Sequence, residues 1–177
     1  MAERFYLCID LKSFFASVEA VDRGLDPFTT NLVVADPSRG RGSVCLAITP
    51  AMKALGIRNR CRVFEIPRGV EYITAMPRMK KYMEVSAQIY GVYLRYISPE
   101  DIHVYSIDEC FIDITPYLKM YKRSPKEMAI MLMDADDEWL CEAYMKTDYT
   151  KLTADDFQQT LNNYLSYLVK EGFVYEA

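Results

Sequence analysis

The 177-residue chain has a single histidine, His103, so a pair of imidazoles for acid–base chemistry or metal binding is excluded. Its five cysteines, Cys8, Cys45, Cys61, Cys110 and Cys141, are odd in number, widely spaced and without a Cys-x-x-Cys, which argues against a zinc cluster or a disulfide framework. They read as small core residues. Glycine is scarce, and Gly40-Arg41-Gly42 is not followed by Lys-Ser or Lys-Thr, so no phosphate-binding loop of that type is present. No apolar run nears the ~18 residues of a membrane span. Asp10 interrupts the first apolar stretch before a signal pattern can form. A cytoplasmic protein with no membrane partner is expected.

What is there is ordinary globular material, 51% hydrophobic and 26% charged, enough for one domain or one and a half. The net charge of −4 at first argues against a nucleic-acid binder, but the charge is unevenly placed. Up to Ala135 there are 18 Lys and Arg against 16 Asp and Glu; from Asp136 onward there are 3 against 9. Between Arg39 and Lys81 ten cations face only Glu65 and Glu71, which makes that segment the candidate phosphate-facing surface.

The chain is organised around His103-Val104-Tyr105-Ser106-Ile107-Asp108-Glu109-Cys110-Phe111-Ile112-Asp113-Ile114, two short strands with adjacent carboxylates at the turn. Near the N-terminus, Arg4 to Ile9 forms a strand ending in Asp10. Three carboxylates at strand ends can converge, and such a set suits Mg²⁺, which takes one or two carboxylates plus water and substrate phosphate. Two ions about 4 Å apart clamp the attacking and leaving oxygens of an in-line phosphoryl displacement. Any one of these acids read alone is better taken as an ordinary strand-end or turn residue.

The surrounding words single them out. Asp10-Leu11-Lys12-Ser13-Phe14-Phe15-Ala16-Ser17-Val18-Glu19 together with Ser106-Ile107-Asp108-Glu109 resembles the paired signature of the Y-family, or translesion, DNA polymerases of the UmuC and DinB kind, from about residue 4 to residue 134. The resemblance implies two-metal nucleotidyl transfer in DNA repair synthesis, with two Mg²⁺ ions, or Mn²⁺ in their place, on Asp10, Asp108 and Glu109. Primer-template DNA and a deoxynucleoside triphosphate are the implied partners. It also makes Phe15 the steric gate under the incoming sugar, with Phe14 turned into the core. Ser43, Cys45 and Ala47 become roof positions over the nascent base pair. Many members carry a Tyr and an Arg on the short helix after Thr49; the matched positions here are Thr49 and Met52. Lys53 is the remaining cation there, and Arg58, Arg60 and Arg62 are the other candidates for triphosphate or DNA phosphate.

The expected fold is α+β: a palm-like antiparallel sheet with helices on one face, a small fingers insertion and a helical C-terminal tail. Residues 1–10 and 73–135 are assigned to a partial palm, 11–72 to the fingers and 136–177 to an acidic tail. Helices are expected over Leu11–Asp22, with Glu19 on the surface, and from Pro77 to Ile97, with Met79, Met83, Ser86, Tyr90, Tyr93, Leu94 and Ile97 as the core stripe. Thr49-Pro50 reads as a helix start and Ser124-Pro125-Lys126-Glu127 as a capping box. After that helix no further palm strand is expected. The tail reads as helices with a Leu161, Leu165, Leu168 face, a candidate surface for a protein partner. Two readings stand side by side: a truncated translesion polymerase, or a catalytically inactive remnant that binds nucleotide, DNA or a protein. A palm-like nucleotidyl cyclase is disfavoured because its Gly-Gly-acid turn is missing.

Overall fold

The computed structural model describes residues 3–134 and 142–144. In chain order the elements are β1 (Tyr6–Asp10), α1 (Phe14–Val21), β2 (Leu32–Val34), β3 (Ala47–Ile48), α2 (Pro50–Ala54), β4 (Ile73–Ala75), α3 (Met79–Tyr93), β5 (Ile102–Val104), β6 (Glu109–Asp113), α4 (Thr115–Tyr121), α5 (Pro125–Asp134) and β7 (Glu142–Tyr144). The chain divides into two compact units, one from the segments up to Leu11 and from Gln88 onward, the other from Lys12 to Ala87.

The first unit is built on a four-stranded antiparallel sheet in the order β5-β6-β1-β7. Period-two alternation turns Leu7 and Ile9 of β1 inward, opposite Ile112 and Cys110 of β6, and all four are buried. The helices that follow also bury residues: Tyr117 of α4, and Met128, Ala129 and Leu132 of α5, whose spacing places them on one helix face. The capping box forms as the sequence suggests. The Glu127 carboxylate accepts from the Ser124 N–H at 2.8 Å, and the Ser124 hydroxyl accepts from the Glu127 N–H at 3.3 Å. Those bonds hold the Glu127 carboxyl below its ordinary pKa.

Strand β7 departs from the expected helical tail. Glu142, Ala143 and Tyr144 pair with Asp10, Ile9 and Cys8, so the sheet gains a strand where no further palm strand was anticipated. An alternation as short as three residues is too weak a pattern to separate strand from helix. The remaining tail assignments, including the Leu161, Leu165, Leu168 face, lie outside the described residues.

The second unit holds a three-stranded sheet in the order β3-β2-β4, antiparallel between β2 and β3 and parallel between β2 and β4. β4, grouped from sequence with the palm, therefore belongs to the smaller sheet. The continuous apolar run Leu32–Val34 is buried on both faces, as its central place requires. Around it Val33, Ala35, Cys45, Ile48, Met52, Ile57, Cys61 and Ile66 form the core. Burial, with the Cys61 thiol beside it, pushes the Cys45 thiol up to about 12, so it is a packed thiol rather than a reactive one.

Several local expectations shift. α1 starts at Phe14 rather than Leu11, because the Leu11 N–H continues the sheet by donating to the Asp108 carbonyl at 2.8 Å, and Ser13 takes a left-handed conformation (φ 54°). The buried stripe of α3 is Tyr82, Val85, Ile89 and Tyr93, continued after the helix by Ile97; Met79 and Leu94, expected in it, are exposed. Helical spacing leaves two candidate stripes one residue apart, and the tyrosine at position 82 decides between them. Thr49 does precede α2, but its hydroxyl does not cap the helix. It donates to the Thr30 carbonyl at 2.7 Å and accepts from the Leu32 N–H at 3.1 Å.

Candidate active site

Asp10 closes β1 and Glu109 opens β6, and the two are direct partners in the antiparallel register. Side chains directly opposite share a sheet face, with Cα atoms about 4.5–5.5 Å apart. Asp108 precedes Glu109, and its carbonyl receives the Leu11 N–H at 2.8 Å, so the pairing runs one residue past the named strands. The fold thus brings Asp10, Asp108 and Glu109 together at one end of the β1–β6 pair, each half-buried.

The turn from Tyr105 to Asp108 is tied down by its own polar groups. The N–H groups of Tyr105 and Ser106 both donate to the Glu109 carbonyl at 3.0 Å. The Ser106 hydroxyl donates to Asp108 Oδ1 at 2.7 Å and accepts from the Asp108 N–H at 3.3 Å. Ser106 is therefore the residue that aims the Asp108 carboxylate, a role the motif contained but spacing alone did not assign. Asp113, at the far end of β6, is spoken for: it accepts from Arg4 at 2.6 Å and from the Thr115 N–H at 3.0 Å while buried.

Three hard oxygen donors suit a hard divalent cation in their chemistry. As their side chains stand, no group of three or more His, Cys, Asp or Glu among the described residues is arranged to hold an ion. What brings the three acidic residues to one strand end is the backbone pairing.

In the second unit, Phe14 is 2% exposed and Phe15 is half-buried, the divergence expected of consecutive helical residues. The Phe15 ring lies flat on Tyr82, centroids 4.5 Å apart and planes 13° from parallel. Of the phosphate candidates, Lys53 is half-buried on α2, whereas Arg58, Arg60 and Arg62 are exposed on the loop that follows. Arg62 donates to the Gly42 carbonyl at 2.7 Å. The positions matched to a Tyr and an Arg, Thr49 and Met52, are both fully buried, so neither can reach a phosphate. The roof positions also need correction. Ser43, Cys45 and Ala47 point inward, and the alternation turns Val44 and Leu46 outward.

Glu19 is the largest departure. Instead of a surface acid it is 0% exposed. It accepts from Arg78 at 2.8 and 2.9 Å, from the Tyr82 hydroxyl at 2.8 Å and from Arg23. Burial alone would raise its pKa; the bonds from Arg78, Arg23 and Tyr82 outweigh that and hold it below the ordinary value. The signal was available: Phe-Phe-Ala-Ser-Val-Glu-Ala-Val offers no polar face for the acid to occupy, and Arg78 and Tyr82 stand one helical turn apart.

Comparison with known proteins agrees with this architecture. The model of the impB/mucB/samB family matches residues 9–171. The chain belongs to that family, whose match runs well past the part recognised from motifs alone. It is 42% identical over 124 residues to the putative UV-damage repair protein UvrX of Bacillus subtilis, covering 70% of this chain and 28% of UvrX. It is 43% identical over 103 residues to the DNA repair protein homolog YozK of B. subtilis, covering 58% of this chain and 90% of YozK. With DNA polymerase IV 2 of B. subtilis it shares 36% identity over 133 residues, 73% of this chain and 31% of the relative. The chain thus spans under a third of the length of UvrX and of that polymerase. Among solved structures, DinB from Sulfolobus solfataricus superposes with a TM-score of 0.61 at 18% identity, over 78% of this chain and 40% of that one. A Y-family DNA polymerase chimera, Dbh-Dpo4(243-245)-Dbh, gives 0.61 at 20% identity over 75% and 38%. At those identities the likeness is one of fold: the α+β palm and fingers of the Y-family polymerases.

Proposed function

We propose that this chain carries the metal-binding half of a translesion DNA polymerase site, acting in nucleotidyl transfer during DNA repair synthesis. Asp10, Asp108 and Glu109 are the ligands for two Mg²⁺ ions, replaceable by Mn²⁺. Phe15 is the ring that excludes a 2′-hydroxyl, and Lys53, Arg58, Arg60 and Arg62 supply positive charge to the triphosphate or the DNA backbone. The observation that carries the reading is the Asp10–Glu109 register with the Leu11 N–H on the Asp108 carbonyl, which gathers three carboxylates at one strand end. Bound divalent ions would lend that end the charge that stabilises the attacking and leaving oxygens. The protein's own part is positional: the sheet sets the backbone of the three acidic residues, Ser106 bonds to the Asp108 carboxylate, and the Phe15 ring stands on Tyr82.

By itself the chain should extend primers weakly, since it spans only 28% of UvrX and 31% of the polymerase relative and phosphate contacts dominate DNA affinity. A second reading, a nucleotide-, DNA- or protein-binding module without catalysis, is favoured by the match to 90% of YozK, a DNA repair protein homolog shorter than this chain. Residues 136–177, with their excess of acids, are the segment for a protein partner in that reading. Primer extension by the chain, titrated with Mg²⁺ and Mn²⁺ beside calorimetric metal binding, separates the two. Metal-dependent, template-directed addition that vanishes in Asp108→Ala supports the polymerase. Metal binding without addition supports the module, and neither rejects the site.

A further inference from the structure

We propose that Tyr82, Glu19 and Arg78 are positioning residues that set where the Phe15 ring stands, and hence how strictly a sugar is selected. The inference rests on the reading of Phe15 as the sugar-facing ring and extends it to residues no motif assigned. Phe15 is half-buried, and one of its faces is covered by Tyr82 at 4.5 Å in a near-parallel stack. A stacked ring is only as well placed as its platform. Tyr82 is 0% exposed, and its hydroxyl is the polar handle by which it is oriented, donating to Glu19 at 2.8 Å.

Glu19 in turn is immobile. Arg78 grips both of its oxygens in the two-pronged geometry suited to a carboxylate, Arg23 adds a bond from just past the end of α1, and Arg78 also reaches Asp22 at 2.6 Å. Lys81 contacts the other oxygen of Asp22 at 3.1 Å. Phe15 and Glu19 are four residues apart on α1, and Arg78 and Tyr82 are four apart along α3 and its start. The ring stack and the ion cluster are therefore neighbouring rungs between the same two segments. A buried acid held by two arginines is an expensive way merely to join two helices, because apolar packing would serve. What it adds is a fixed orientation for the tyrosine ring beneath Phe15.

The test uses the full chain labelled with 4-fluorophenylalanine, the Phe15 signal being assigned by its loss in Phe15→Leu. In Tyr82→Phe, which keeps the stacked ring and removes only its tether, and in Glu19→Gln, the Phe15 resonance should shift or broaden. The signals of Phe5, Phe64 and Phe111 should stay in place. In template-directed addition the same variants should raise the ratio of ribonucleotide to deoxyribonucleotide kcat/KM by about tenfold, near 1.4 kcal/mol. The change should fall on the ribonucleotide while deoxyribonucleotide KM stays within about threefold. An unmoved Phe15 signal in both folded variants overturns the proposal, as does a moved ring with unchanged selectivity. A cluster that only joins the helices would lower Tm and leave the Phe15 signal where it was. If the wild-type chain adds no nucleotide, the polymerase reading fails, and the fluorine signal alone decides whether Glu19 and Tyr82 position the ring.

Discussion

The two ends of β6 carry aspartates in opposite circumstances. Asp113 is 4% exposed and already neutralised by Arg4, with the Thr115 N–H as a further donor. Asp108, at the other end, is half-buried, and among the described residues its side chain bonds to a hydroxyl, Ser106, and makes no ion pair. Glu19 in the second unit belongs with Asp113: buried, saturated by arginines and a tyrosine. An acid committed to the fold is enclosed with its counter-charge. In the reading proposed for it, Asp108 recruits a cation from solvent, and a resident arginine there would compete with the ion.

The strongest way to break that contrast is to exchange the consequences. Asp108→Ala should reduce divalent-metal affinity, and any extension activity, by at least about 100-fold, while leaving stability within about 0.5 kcal/mol. Asp113→Ala should do the reverse, leaving metal binding intact and costing about 2 kcal/mol through a lost charge-assisted bond. Calorimetric titration and urea unfolding on both variants read the two quantities separately. Equal loss of metal binding in the two would mean that the ends of β6 are not functionally distinct.

Next in size is the buried acid. Glu19→Ala strands the guanidinium groups of Arg78 and Arg23, but both are partly exposed, so the penalty of several kcal/mol for opening a buried pair is reduced to about 2 kcal/mol. For a chain of this size that is roughly a 4–8 °C fall in Tm. A change below about 1 °C would show Glu19 to be as dispensable as a surface acid.

How much of this was legible in the sequence follows from the range of each cause. The Asp10–Glu109 pairing was legible because two strands with acids at their ends are local patterns, and antiparallel pairing of β1 with β6 does the rest. The burial of Phe14 against the half-exposure of Phe15 follows from helix geometry alone. The inward set Ser43, Cys45 and Ala47 was not legible in the same way, since period two leaves either face of the segment 43–47 free to be the core face, and only the packed cluster with Ile48 and Met52 decides. The apolar run around Glu19 carries a local sign of its burial, but the partners that hold it are 59 and 63 residues away, and no local rule identifies them. β7 was missed because three residues make no pattern; only the open edge of β1 makes them a strand.

A smaller effect sharpens the role of Ser106. Ser106→Ala removes the hydroxyl that bonds Asp108 Oδ1 at 2.7 Å and leaves every charge in place. Outer partners of this sort contribute 10–100-fold to metal affinity, and a single neutral hydroxyl belongs at the low end, about tenfold. Ser106→Thr should restore most of it, because the hydroxyl returns. Full affinity in the alanine variant would show that the carboxylate needs no aiming.

The smallest expected effect is in acid. Glu19 has its native pKa below the ordinary value of 4.5, so its contribution is complete above that pH in the folded protein. As pH falls below 4.5 the unfolded chain binds a proton at this residue that the native chain does not, and stability declines until the native pKa is passed. Glu19→Gln cannot titrate, so its unfolding free energy should fall less steeply between pH 5 and pH 3, each pH of ~1 unit being at most about 1.4 kcal/mol for one proton. Asp36 and Glu127, away from this cluster, are lowered as well and supply a background slope common to both proteins. The comparison therefore rests on the difference between the two urea series rather than on either alone. Parallel curves would mean that Glu19 titrates alike in the folded and unfolded chains, which its grip by Arg78 forbids.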